Sequence, residues 1–225
     1  MSPIIDIENV TIEYPGKGAP VRALDGATLR VDAGETVGLV GESGSGKTTL
    51  GLLAGRLLPR SAMVTGGRVR VDGQDMLALD DQCLRALRRE CLGYIPQDPV
   101  AALDPTMRIG RQLALVLHGL PHDTVSLRRH LDNVQISEPD RVLRLFPHEI
   151  SGGMAQRVMI AMAMARTPRL LVADEPTASL DSNVRTEVTK LIFGLAAAAG
   201  TTVLWLSHDL RSVSRWCRRV VVMYG

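Results

Sequence analysis

The chain has 225 residues, of which 45% are apolar and 22% charged, as in an ordinary globular protein with a real core, and its length suits one large domain or two small ones. A net charge of +2 is too small to argue for nucleic acid, and 3% aromatic residues leave no stacking platform of the kind single-strand binders use. Cys83, Cys91 and Cys217 are an odd number with no C-x-x-C pair, which argues against a disulfide framework or zinc site and for reduced thiols in a cytosolic protein. The N-terminus lacks the basic region and apolar run of a signal peptide, and the apolar stretches 158–165 and 195–206 are too short or interrupted to span a membrane.

In chain order, residues 4–14 read as an edge strand ending in the turn signal Tyr14-Pro15-Gly16. Residues 28–31 and 37–40 are strands around the turn Asp32-Ala33-Gly34. An apolar helical pattern follows Thr48 and runs to Pro59. Residues 66–73 form a short alternating strand, 80–90 a helix with a basic face, and 92–96 a strand leading into Gln97. From about 100 to 150 the pattern is helical, punctuated by Pro105, Pro121, Pro139 and Pro147, as expected of a helical insertion. His118, His122 and His130 tempt toward a metal site at helical spacing, but Pro121 breaks that helix and leaves them surface or packing residues. An apolar helix over 153–165 precedes a buried strand at 169–173. A helix over 184–198 is closed by Gly200, followed by a strand at 201–206, a helix at 209–217 and a last strand at 220–223. Strands alternating with helices predict an α/β fold with a mostly parallel, helix-covered sheet.

Three stretches carry chemistry. Gly41-Glu42-Ser43-Gly44-Ser45-Gly46-Lys47-Thr48 is G-x-x-x-x-G-K-T, between an apolar strand and a helix. Its glycines let successive N–H groups converge on a phosphate, and the helix start adds unpaired donors and a positive dipole end. Lys47 supplies a cation for the β- and γ-phosphates, and the Thr48 hydroxyl can ligate Mg²⁺. This stretch predicts a nucleoside triphosphate site. The second, Leu170-Leu171-Val172-Ala173-Asp174-Glu175, is an apolar strand ending in two carboxylates, where parallel sheets place their ligands. Asp174 would face the Mg²⁺ held by Thr48, and Glu175 could act as general base on water. The third, Ser151-Gly152-Gly153, lies 23 residues before Asp174 and opens an apolar helix, a second anion-binding helix start. Two chains facing head to tail have a use for it, since each can close over the nucleotide on the other's P-loop.

In this order and spacing the sequence resembles the nucleotide-binding subunit of an ABC transporter over essentially the whole chain. The resemblance implies a P-loop NTPase core with an N-terminal antiparallel β portion and a helical subdomain. It divides the chain into 1–97 with 157–225, and 98–156. It implies an aromatic, Tyr14, on adenine, a phosphate contact by Thr49, and a glutamine, Gln97, that senses Mg²⁺ and the attacking water. It implies an interface loop Ser179-Leu180-Asp181 and a γ-phosphate contact by His208. Ligands and cofactors would be ATP and Mg²⁺.

Tyr94-Ile95-Pro96-Gln97-Asp98-Pro99, Ala102-Leu103-Asp104-Pro105 and Phe146-Pro147-His148-Glu149-Ile150-Ser151-Gly152-Gly153-Met154 look like the ATPases of peptide and nickel importers. Met154 replaces the usual signature glutamine, as is common in that branch, and Ala155 stands where it often has Arg. Such chains normally continue past the last strand, so a truncated or incomplete chain is expected. The implied function is ATP hydrolysis that powers uptake of a peptide or metal chelate, at the cytoplasmic face of the membrane. The implied partners are a second ABC ATPase subunit (identical or paralogous), two permeases docking at a groove beside Gln97, and an extracytoplasmic substrate-binding protein, with no nucleic acid. An exporter ATPase, or a non-transport ABC ATPase acting on ribosome or DNA, are the alternatives.

Overall fold

Two sheets organise the chain in a computed structural model that describes residues 3–178 and 180–224. The first is antiparallel: β1 (Pro3–Tyr14), β2 (Val21–Asp32), β4 (Met63–Val71) and β5 (Gln74–Asp75), in the order β2-β1-β4-β5. The second is parallel: β3 (Thr36–Gly41), β6 (Leu92–Ile95), β7 (Leu170–Asp174), β8 (Thr202–Ser207) and β9 (Arg219–Met223), in the order β6-β7-β8-β3-β9.

The parallel sheet is covered on both faces, which is why β7 is buried at every position. Side chains alternate across it with period two. Leu39, Leu170, Val172, Leu204 and Leu206 join one core with the antiparallel sheet and helix α1 (Lys47–Ala54). Val40, Leu171, Ala173, Val203 and Trp205 join a second core with the helices on the other face. Between β6 and β7 the chain is helical: α3 (Pro99–Ala102), α4 (Ile109–Val116), α5 (Thr124–Asn133), α6 (Pro139–Val142), a single 3-10 turn at Pro147–Glu149, and α7 (Gly152–Met164). Pro99, Pro139 and Pro147 sit in the first turns of their elements, where a missing N–H costs nothing. Pro121 falls between α4 and α5, as expected. Helices α2 (Asp81–Cys91), α8 (Ser182–Ala199) and α9 (Leu210–Trp216) complete the chain, and Gly200 closes α8 with φ 66°.

Three readings need correction. β1 is not an edge strand; it is hydrogen-bonded to β2 on one side and β4 on the other. An antiparallel sheet can carry polar residues such as Asp6 and Glu8 on a central strand while Ile5, Ile7, Val10 and Ile12 are fully buried. β2 begins at Val21 rather than Thr28, because long-range pairing with β1 extends a segment of weak intrinsic preference. Helix α1 stops at Ala54, well before Pro59. Gly55 caps it and Arg56 turns left-handed at φ 49°.

Candidate functional site

Because β3, β6, β7 and β8 are parallel, their carboxyl ends share one edge of the sheet, the edge at which α/β proteins bind ligands. From those ends lead the glycine-rich loop, Gln97, Asp174-Glu175 and His208. A cavity of about 910 Å³ opens there, within the range that takes a nucleotide-sized ligand. Gly41, Ser43, Gly44, Gly46, Lys47, Thr48, Thr49, Gln97, Glu175 and His208 line it. These sequence-predicted residues, drawn from four separate stretches, therefore meet around one space.

The loop backbone is built for close approach. Gly46, the N-cap of α1, has φ 89°, and a Cβ there would lie 2.6 Å from the Ala23 carbonyl oxygen. Gly44 has φ 90° with open space where a side chain would be. Lys47 is 6% exposed, and its Nζ donates to the carbonyl oxygens of Gly41 and Glu42, each at 2.7 Å. The ammonium is thus held across the mouth of the loop. Ser45 Oγ is buried without a hydrogen-bond partner among the described residues. Ser45, a predicted phosphate contact, lies outside the cavity lining, whereas the residues on either side of it, Gly44 and Gly46, line the cavity and leave their backbone open to a polyanion.

Asp174 is 2% exposed and lies behind the cavity wall. Its Oδ1 accepts from Thr48 Oγ1 and its Oδ2 from the Tyr94 hydroxyl, both at 3.2 Å. Burial pushes its carboxyl above the ordinary carboxylate range, and the two hydroxyl hydrogen bonds oppose that rise. Hydroxyl and carboxylate oxygens on facing elements are a hard donor set of the kind that suits Mg²⁺. Tyr94 was missed as a site residue by sequence reasoning, since a tyrosine on a strand reads as packing.

Glu175 departs from the strand with φ 44°, a left-handed conformation rare outside glycine, while its N–H donates to the Leu206 carbonyl at 3.0 Å. That turn carries its side chain to His208, whose Nδ1 lies 3.0 Å from Glu175 Oε2. Non-glycine residues held this way concentrate at functional sites.

The remaining predicted residues lie outside the cavity lining. Tyr14, half-buried at the end of β1 and paired with Val21, packs against the first core. Ser151 caps α7, its hydroxyl accepting from Met154 N–H at 3.3 Å, and a Cβ at Gly152 or Gly153 would meet nothing. Asp181 caps α8, accepting from the N–H groups of Asn183 and Val184 at 3.1 Å. Ser179 lies outside the described residues.

A glycine-rich strand–loop–helix, with an Asp-Glu pair at the end of a neighbouring parallel strand, defines a P-loop nucleotide-binding α/β protein. The family model for ABC transporters matches residues 24–178. The "Probable peptide ABC transporter ATP-binding protein y4tR" of Sinorhizobium fredii is 40% identical, the match covering 99% of this chain and 68% of that protein. The "Probable D,D-dipeptide transport ATP-binding protein DdpD" of Escherichia coli is 42% identical, with 99% and 70% covered. The oligopeptide transport ATP-binding protein OppD of Mycobacterium tuberculosis is 39% identical over the whole of this chain but only 38% of its own length. Among solved structures, the dimeric bacterial ABC transporter cassette MJ0796 superposes with a TM-score of 0.85 at 30% identity, covering 97% of this chain and 94% of that one. The same cassette has been solved as a dimer in a post-hydrolysis state bound to ADP and Pi. The chain belongs to the ABC transporter family, as an ATP-hydrolysing cassette.

Proposed function

We propose that this chain hydrolyses ATP to power import of a peptide, or of a metal chelate, through separate permease subunits. The observation that carries the reading is the convergence of Lys47, Thr48, Gln97, Glu175 and His208 on one cavity, with Glu175 and His208 already in contact. The glycine-loop amides and Lys47 hold the triphosphate, with Thr49 on a further phosphate oxygen and Tyr14 against adenine. Thr48 and Asp174 hold Mg²⁺. When bound, that ion neutralises phosphate charge and polarises the γ-phosphoryl group. Glu175 takes a proton from water as the water oxygen bonds to the γ-phosphorus; the bond to the β–γ bridging oxygen breaks and ADP leaves with that oxygen. His208 and Gln97 steady the γ-phosphate and the water, so positioning and electrostatics supply most of the catalysis.

Ser151, Gly152 and Gly153, with Asp181, act on the nucleotide of a second ATPase subunit, identical or paralogous. That they do not line this chain's own cavity, and that the MJ0796 cassette is dimeric, support that arrangement. In this reading residues 98–156 form a helical subdomain and the rest the nucleotide-binding core. Among the described residues no helix is long and apolar enough to cross a membrane; in this reading the chain is a peripheral subunit at the cytoplasmic face, held there by its permeases. A groove of about 590 Å³ beside β6, α4 and α7, with Leu92, Met107, Met159 and Met162 in its wall, suits a permease helix, although Gln97 lines the nucleotide cavity rather than this groove. An extracytoplasmic binding protein would deliver the cargo. Relatives named for peptide transport, among them one of Brucella abortus named for peptide import, favour the importer over the exporter alternative.

Glu175→Gln should bind ATP as before but turn it over at least a hundredfold more slowly, in line with the loss of a general base. Unchanged turnover would remove Glu175 from that role. Copurification of two permeases, a second ATPase and a binding protein from native membranes in mild detergent tests the transport reading; recovery of ribosomes or DNA instead would sink it.

A further inference from the structure

We infer that Tyr94 is a positioning residue for the Asp174 carboxylate, fixing the plane in which Asp174 meets Mg²⁺ and Thr48. The inference rests on the reading of Asp174 as a metal ligand.

Strand register brings the two residues together. On β6 and β7, Tyr94 pairs with Val172, two residues before Asp174. Leu92, Tyr94, Leu170 and Val172 belong to the core shared with α1, whereas Ile95, Leu171 and Ala173 belong to the other. Period two therefore puts the Tyr94 and Asp174 side chains on the same face, toward α1 and Thr48. The ring reaches diagonally along that face, and its hydroxyl meets Asp174 Oδ2 at 3.2 Å.

A packing role alone does not account for the hydroxyl. Phenylalanine would fill the same space, and a half-buried hydroxyl is unfavourable unless it is paired. The partner it has is a carboxylate whose other oxygen is engaged by Thr48. Rotation about the terminal bond of an aspartate is soft. One hydrogen bond to Oδ1 leaves the carboxylate free to pivot about that oxygen; a second, to Oδ2, sets its plane. The donor is itself well fixed, since a tyrosine ring has two torsions and this one is seated in a core. Each Asp174 oxygen then has one lone pair committed to a hydroxyl and one left over for a cation.

The test is equilibrium binding of a fluorescent, non-hydrolysable ATP analogue to the intact protein, once in EDTA and once in saturating Mg²⁺. The ratio of the two affinities isolates what the metal contributes. Tyr94→Phe should lower that ratio about five- to tenfold, equivalent to about 1–1.4 kcal/mol, while the affinity in EDTA stays at the wild-type value. An unchanged ratio would show the hydroxyl to be a satisfied packing group and overturn the inference. Equal losses with and without Mg²⁺ would overturn it as well, by pointing to general disturbance of the site. Asp174→Asn separates the two levels. If it keeps the full Mg²⁺ enhancement, the metal reading of Asp174 fails and the role of Tyr94 with it. If it loses the enhancement while Tyr94→Phe does not, only the role of Tyr94 fails.

Discussion

Substituting alanine at Gly44 and at Gly46 separates two reasons for glycine in the phosphate loop. Both residues have φ near 90°, where an L-residue is strained by about 1–2 kcal/mol. At Gly44 the new methyl would project into open space, so strain is the whole cost. At Gly46 it would lie 2.6 Å from the Ala23 carbonyl oxygen and 2.7 Å from a Leu24 methyl. Ala23 belongs to β2, which is paired along its length to β1, so the backbone oxygen cannot step aside cheaply. Overpacking of this kind adds about 1–3 kcal/mol. For a chain of this length 1 kcal/mol is worth about 2–4 °C in melting temperature. Gly46→Ala should therefore melt about 2–12 °C below Gly44→Ala. It should also bind ATP more weakly, because relief of the clash moves the N-terminus of α1 off the phosphate position. Thermal melts and fluorescent ATP titrations on both variants, run in parallel, provide the check. Equal melting temperatures and equal ATP affinities would refute the steric part of the reasoning and leave only the backbone requirement.

Thiol chemistry should distinguish the three cysteines. Cys83 is exposed, whereas burial pushes Cys91 up to about 11 and Cys217 up to about 12. A thiol reagent at pH 8 should label one site rapidly in the native protein and three after denaturation; rapid labelling of Cys217 would contradict its packing against the second core. The turn between β2 and β3 is tied to β9 by Glu35, whose two oxygens meet Arg219 Nε at 2.7 Å and a terminal guanidinium nitrogen at 3.0 Å. The hydrogen bonds from Arg219 hold the Glu35 carboxyl below its ordinary range. With the folded-state value depressed, its contribution is complete above the unfolded value, about 4.3, and is lost as pH falls through the folded one. Glu35→Gln should then melt about 2–4 °C lower at pH 7, for a loss of about 1 kcal/mol. The gap should close in acid, and a gap that persisted at pH 3 would count against an ionic origin.

What could be read from sequence, and what could not, divides by the range of the interactions. The glycine loop, the Asp174-Glu175 pair and the Ser151 cap are legible because each places special residue types within a few positions of one another, and local backbone geometry demands those types. The central place of β1 is not, since its neighbours β2 and β4 are set by pairing across up to 66 residues of chain, and a polar–apolar alternation fits an edge or a centre equally well. Nor is the left-handed turn at Glu175, which the Leu206 carbonyl of a strand far along the chain stabilises.

Tyr94 and Asp174 stand eighty residues apart, and only a parallel register that puts Tyr94 level with Val172 makes their side chains neighbours. A slip of one residue in that register would turn Tyr94 to the opposite core and leave Oδ2 of a buried aspartate without its donor. The site thus depends on sheet register as much as on its motifs. Each motif supplies functional groups at one strand end, and the register decides which of those groups face each other. The same logic applies to Ser151 and Asp181. Their motifs are intact and both side chains cap helices, yet the fold of a single chain gives them no place in the lining of its own cavity. In the proposed head-to-tail pair, such groups would serve the nucleotide of the other subunit.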